Sequence, residues 1–335
     1  MTSRVIDKSA VANFLDDLIK EREVLAPAKD EGMTNYEARG SGDEMQLGFL
    51  NSKRPPKQIF FPCSETLFTF EKGEVTAVPL PEGQRVVFGI RPCDARSCIM
   101  LDEVFDAPGS QDPYYATRRK NTVLIGLGCN EPASSCFCTS LGGGPFSTEG
   151  LDLLFSDLGD RFLVESLTER GEALVADSPR FREATEADLK LKAEIAARAE
   201  LLISGPDVGG VKEKLDVIYD DTFWDEVHQK CLGCGVCTYM CPTCHCFDIV
   251  DEVDGGGGQR LRNWDTCQST LFTLHTSGHN PRPSGKERMR QRVMHKFRYF
   301  VDNFGRVACV GCGRCVRECP VNLDVRAVLE AVKTI

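Results

Sequence analysis

The chain has 335 residues, a formal net charge of -10 and seventeen cysteines. That length suits about two domains, and the acidic balance argues against nucleic acid as a partner while leaving local basic docking patches open. No apolar run nears the ~18 residues of a membrane span, and no apolar leader opens the chain, so the cysteines are expected to be reduced, cytoplasmic and metal-bound rather than oxidised to disulfides.

Val11, Phe14, Leu15, Leu18 and Ile19 recur at helical spacing, which predicts a helix ahead of Pro27. Short β-branched and aromatic runs at 58–61, 75–78, Arg85–Ile90 and Thr122–Leu127 read as strands. The last two are continuous and apolar, the pattern of central strands buried on both faces. An Ala-, Leu-, Lys- and Glu-rich stretch at 186–202 predicts a helix, and Gly205, Pro206, Gly209 and Gly210 behind it form a linker. The expected division is therefore an α/β domain over 1–210 and a mostly helical domain over 211–335. Within the second, Gly255 to Gly258 predict a flexible loop, and helices are expected near 287–299 and 323–332.

Two cysteine runs dominate the second domain. They are Cys231-Leu-Gly-Cys234-Gly-Val-Cys237-Thr-Tyr-Met-Cys241-Pro242 and Cys309-Val-Gly-Cys312-Gly-Arg-Cys315-Val-Arg-Glu-Cys319-Pro320. Each is C-x2-C-x2-C-x3-C-P, the ligand run of two-cluster ferredoxins. Gly233, Gly235, Gly311 and Gly313 permit tight turns that aim amide N–H groups at sulfur. Each proline ends a loop and sends the fourth cysteine away. Two [4Fe-4S] clusters follow, with ligands exchanged: Cys231, Cys234 and Cys237 take Cys319, while Cys309, Cys312 and Cys315 take Cys241. Every iron would then be capped by thiolate, which suits one-electron transfer and leaves no open position for a substrate. Two structural zinc sites fit less well, because the fourth cysteine followed by proline is a ferredoxin habit. The spacer between the runs is far longer than in compact ferredoxins, and resembles that of α-helical ferredoxin domains.

Nine cysteines remain. In the spacer, Cys244, Cys246 and Cys267 offer three corners of a further cluster, with His279 or His245 as a fourth ligand; buried cysteine behaving as a small hydrophobe is the alternative. In the first domain, Cys93 and Cys129 each follow the end of a predicted strand, and Cys136 and Cys138 lie further along the same loop as Cys129. If the sheet is parallel, all four gather in the crevice at its carboxyl edge. They could hold a third [4Fe-4S] cluster, a zinc ion or a redox thiol pair. Cys63 and Cys98 are expected to remain outside any metal site. Gly142 to Gly144 lack the strand-to-helix dinucleotide fingerprint and read as a turn. The basic stretch Arg282, Lys286, Arg288, Arg290, Arg292, His295, Lys296 and Arg298 is either a solvated face or a positive field beside anionic clusters. Trp224 and Trp264 are expected to be packing residues.

Further motifs carry a resemblance over nearly the whole chain. They are Gly89-Ile-Arg-Pro-Cys-Asp94, Cys129-Asn-Glu-Pro-Ala-Ser-Ser-Cys-Phe-Cys138 and Cys241-Pro-Thr-Cys-His-Cys-Phe-Asp248, with Trp264-Asp-Thr-Cys267, Gly278-His-Asn-Pro-Arg282 and His295-Lys-Phe-Arg298. The chain resembles the iron-sulfur β subunits of cytoplasmic sulfhydrogenase-type [NiFe] hydrogenases. It is similarly close to the corresponding iron-sulfur component of anaerobic sulfite reductase and to relays attached to heterodisulfide reductase. The resemblance implies a subunit bridging a flavin protein that handles NAD(P)H and a partner that holds the catalytic metal. It also places Cys93, Cys129, Cys136 and Cys138, and Cys244, Cys246 and Cys267, within the family pattern. Thr276-Ser-Gly-His279 departs from the more usual Gly-Gly-His. A different class of function remains open: thiol or sulfur chemistry performed by the cysteines of the first domain.

Overall fold

The computed structural model describes residues 2–335. In chain order its strands are β1 (Ser3–Asp7), β2 (Glu23–Asp30), β3 (Met33–Ala38), β4 (Ser64–Glu71), β5 (Glu74–Ala77), β6 (Arg85–Ile90), β7 (Thr122–Leu127), β8 (Leu153–Asp157), β9 (Arg161–Ser166), β10 (Arg182–Glu183), β11 (Phe247–Asp254) and β12 (Gly257–Trp264). The helices of the first part are α1 (Lys8–Ile19), α2 (Pro92–Phe105), α3 (Pro113–Lys120), α4 (Glu169–Val175) and α5 (Glu186–Leu201). Those of the second are α6 (Val211–Val217), α7 (Phe223–Val227), α8 (Val236–Tyr239), α9 (Gly285–Met294), α10 (Phe300–Phe304), α11 (Arg314–Arg317) and α12 (Val325–Thr334).

The chain divides into two compact units, each drawn from separated stretches: 2–56, 81–205 and 310–312 in one, and 57–80, 206–309 and 313–335 in the other. The first unit is α/β. Its mixed sheet runs β10-β1-β9-β8-β7-β6-β2-β3, with β2, β6, β7 and β8 mutually parallel. Alternate residues of the central strands, Val86, Phe88, Val123 and Ile125, meet Val11, Phe14, Leu15 and Leu18 of α1 in one core. The intervening Val87, Leu124, Leu154 and Leu163 are equally buried. The sheet is therefore covered on both faces, which is why β6 and β7 read as unbroken apolar runs. Each fully buried aliphatic or aromatic side chain here contributes about 1.5–3 kcal/mol relative to exposure.

Parallel strands need a crossover, usually a helix. Helices α2 and α3 supply it between β6 and β7, but the connection from β7 to β8, residues 128–152, holds only a 3-10 turn at Cys138–Leu141. A long connection of this kind inside a compact unit is commonly functional. It carries Cys129, Cys136 and Cys138.

The second unit combines short helices with an antiparallel sheet, β11-β12-β4-β5. Trp224 of α7 is fully buried, and its indole N–H donates to the Ile218 carbonyl at 2.7 Å. Two expectations need correction. Residues 58–61 are not a strand: a 3-10 turn occupies Pro56–Ile59, where Pro55 and Pro56 restrict the backbone, and Phe60 and Phe61 are buried behind it. The glycines at 255–258 are not a flexible loop. Asp254 pairs with Gly257, so Gly255 and Gly256 form the two-residue turn of a β-hairpin, with Gly255 at φ +61°.

Candidate metal centres

All four motif glycines adopt left-handed backbone, with φ of +68° at Gly233, +72° at Gly235, +64° at Gly311 and +73° at Gly313. This curls the chain so that amides face sulfur: the Gly233 N–H donates to Cys231 Sγ at 3.4 Å. Cys231, Cys234, Cys237 and Cys319, the exchanged set expected for the first cluster, line one cavity together with Cys315. Its other walls are mostly apolar, including Leu232, Val236, Val293, Leu323 and Val328, with Gln268 and Arg292 as the polar exceptions. The Leu323 N–H donates to Cys319 Sγ at 3.2 Å. The four thiols of that set around a mostly apolar cavity, with amide donors on the sulfurs of Cys231 and Cys319, fit a cubane cluster. Among the described residues no three His, Cys, Asp or Glu side chains are grouped tightly enough to hold a single metal ion, and none of the seventeen cysteines forms a disulfide.

Cys241 is buried, and the Cys244 thiol hydrogen-bonds to it, holding Cys241 well below the ordinary thiol range and driving Cys244 well above it. Cys246 and Cys267 form a second such pair, with Cys267 drawn down to about 6 by its hydrogen bond from Cys246. The spacer trio is thus gathered next to Cys241. His279 is exposed, and its ring lies 5.4 Å from that of His275. His245 is close in sequence and mostly buried; burial lowers it to about 4, so the ring is neutral. Trp264, beside this group, donates its indole N–H to the Phe61 carbonyl at 3.0 Å, and Lys57 lies 3.9 Å over its ring.

In the first unit, β6 and β7 are indeed parallel, and Cys93, Cys129, Cys136 and Cys138 line one pocket at their carboxyl ends. Arg91 fastens this edge. Its guanidinium donates to the carbonyls of Leu127 at 3.1 Å, Gly128 at 2.7 Å, and Phe49. Burial pushes the Cys138 thiol up to about 12 and raises Cys129, against the pull of Arg91. Cys312 lines the same pocket, which no spacing in the sequence signals, since its run lies far along the chain. The Phe137 N–H donates to the Gly311 carbonyl at 2.9 Å. An adjoining crevice of about 730 Å3 is bordered by Lys8, Phe49, Arg91, Cys129, Asn130 and Asp157. Cys98 lies buried in α2 with its thiol raised to about 12 by desolvation, and Cys63 is exposed.

The basic stretch separates by burial. Arg290, Arg298 and Lys286 face Asp220, Asp216 and Asp225 near the surface, whereas Arg292 and Lys296 are buried toward the cysteines.

A cysteine-lined cavity with amide donors on its sulfurs marks an iron-sulfur protein of the electron-transport class. The family described as a 4Fe-4S dicluster domain matches residues 230–323. The chain is 34% identical over 323 residues to Sulfhydrogenase 2 subunit beta of Pyrococcus furiosus, covering 96% of this chain and 95% of that protein. It belongs to that family of iron-sulfur β subunits. No solved structure matches it, and among the described residues no helix is long and apolar enough to cross a membrane.

Proposed function

We propose that the chain relays single electrons as a cytoplasmic subunit of a multisubunit oxidoreductase, between a flavin subunit that handles NAD(P)H and the large and small subunits of a [NiFe] hydrogenase. The supporting observation is the apolar cavity lined by Cys231, Cys234, Cys237 and Cys319. Bound [4Fe-4S] clusters supply one-electron chemistry. The chain's own part is to hold them by thiolate, exclude water with apolar walls, and stabilise sulfur charge with amide N–H groups. The second set pairs Cys309, Cys312 and Cys315 with Cys241, as the motif spacing implies. The short helices around the runs and the long spacer favour an α-helical ferredoxin-like arrangement. The N-terminal four cysteines and the spacer trio are further candidate stations. Hydrogenase is preferred as the partner because the similar protein is a sulfhydrogenase β subunit; a sulfite reductase or heterodisulfide reductase partner would use the same relay.

Iron and acid-labile sulfide per anaerobically purified chain test the reading. About eight irons correspond to the two runs, and about twelve or sixteen to one or both further groups. A chain that purifies without iron, or that oxidises NAD(P)H rapidly with no flavoprotein added, overturns it. A second reading, thiol chemistry in the first unit, is favoured only by the opening of Cys129 onto the crevice. It requires alkylation of Cys129 while the iron stays bound; protection until the iron is stripped excludes it.

A further inference from the structure

Lys296 is an ammonium ion in an unusual place. It is 5% exposed, and among the described residues no carboxylate pairs with it. Its three N–H donors are all used: on Cys241 Sγ at 3.2 Å, Thr243 Oγ1 at 2.8 Å and the Ala308 carbonyl at 2.6 Å. The Ala308 N–H returns to the Lys296 carbonyl at 2.8 Å. One residue therefore holds together the end of the first cysteine run and the residue before Cys309.

Its backbone explains the placement. Residues His295–Tyr299 are π-helical, and the Phe300 N–H bonds back five residues to His295. Such insertions recur at functional sites. The wider turn leaves the Lys296 carbonyl to Ala308 and buries Lys296 one turn beyond Arg292, which donates to the Cys237 carbonyl at 2.8 Å. A buried cation needs counter-charge. The sulfur of Cys241, 3.2 Å from the Lys296 Nζ, is placed to provide it as a thiolate.

We infer that Lys296 is a positioning residue that sets the potential of the cluster ligated by Cys241, fixing a positive charge on a ligand sulfur and raising the potential. Reduction adds negative charge to the cluster, so a fixed cation at the sulfur favours the reduced form more than the oxidised one. The inference rests on the cluster reading above, and its test separates the two.

The experiment is an anaerobic redox titration of the full-length chain followed by the paramagnetic signal of reduced clusters, with iron and sulfide measured on the same samples. Lys296→Gln keeps a donor and loses the charge. The expected result is wild-type iron, with one signal displaced to lower potential by a tenfold or larger loss in its reduced-to-oxidised ratio, about 59 mV for one electron. Lys296→Arg keeps the charge and is expected to titrate with the wild-type chain. Intact iron with unmoved midpoints in Lys296→Gln overturns the inference. If Lys296→Gln sheds iron, an iron-loaded Lys296→Arg displaced tenfold or more overturns it, and one at the wild-type midpoint supports it. A wild-type chain without iron instead sinks the cluster reading.

Discussion

Gly233 and Gly311 occupy the same place in their two cysteine runs and share a left-handed backbone, φ +68° and +64°. Their surroundings differ. A Cβ on Gly233 would meet only the Gln268 carbonyl oxygen at 3.8 Å, an ordinary contact. A Cβ on Gly311 would lie 2.5 Å from the Cys138 nitrogen and the Phe137 carbonyl carbon, both backbone atoms. Alanine in the left-handed region costs roughly 1–2 kcal/mol at either site. At 311 the backbone must also retreat by roughly 1 Å to reach ordinary contact. Displacement of that order costs about 1–3 kcal/mol, and losing the Phe137-to-Gly311 hydrogen bond about 1 kcal/mol more. Gly233→Ala is thus expected to cost about 1–2 kcal/mol and Gly311→Ala about 3–6 kcal/mol. Anaerobic urea unfolding followed by circular dichroism measures the difference, and native-state hydrogen exchange reads the Phe137 amide directly. Exchange at Phe137 should accelerate in Gly311→Ala and not in Gly233→Ala. Equal costs, or unchanged protection of Phe137, would refute the claim that glycine at 311 exists to let two backbones touch.

Cys319→Ser should remove about four irons per chain, those on Cys231, Cys234 and Cys237, and spare the signal of the cluster on Cys309, Cys312 and Cys315, whereas Cys98→Ser, buried in α2 away from the pockets, should leave iron unchanged; iron analysis with spectroscopy distinguishes them. Asp188 closes the capping box of α5 with Thr185 and pairs with Arg161, and its carboxyl is held at about 2, first by its hydrogen bonds with Thr185. Its folded pKa is depressed, so its contribution is present above the ordinary carboxylate range and lost as pH falls toward 2. Asp188→Asn should therefore lower the urea midpoint near pH 6 and differ progressively less from wild type as pH is lowered below 4. Phe155, fully buried among Phe14, Phe88 and Phe162, should cost about 3–5 kcal/mol as alanine by denaturant unfolding.

The sheet centre was legible because β6 and β7 lie between two covered faces and so contain only apolar residues and glycine after their first positions. Helix α5 was legible through its composition. The hairpin β11–β12 was not: β11 is largely exposed, and charged residues interrupt its alternation, leaving no apolar face to read. The turn chemistry at Gly255 and Gly256 is visible in the sequence, but a run of four glycines reads equally well as slack. The cysteine runs were legible because cluster ligation fixes spacing in sequence. That Cys312 lines a pocket with Cys93 and Cys136 was not, since no local pattern encodes a contact across such a separation. Nor did the basic stretch reveal that Arg292 and Lys296, four residues apart and so on one helix face, turn inward, because charged residues ordinarily mark the solvated side.

The interleaving of chain segments bears on inheritance. A gene fragment encoding only 206–335 contains both cysteine runs but omits β4 and β5. Strand β12 would then lie at an open sheet edge, with the buried Arg262 deprived of Glu65, an invitation to aggregation. The complementary fragment would lack Val310–Cys312, which clusters with the first unit. Neither half is a cassette that recombination could lift out and reuse, so the cluster-bearing region and the sheet-bearing region are constrained to evolve as one heritable piece.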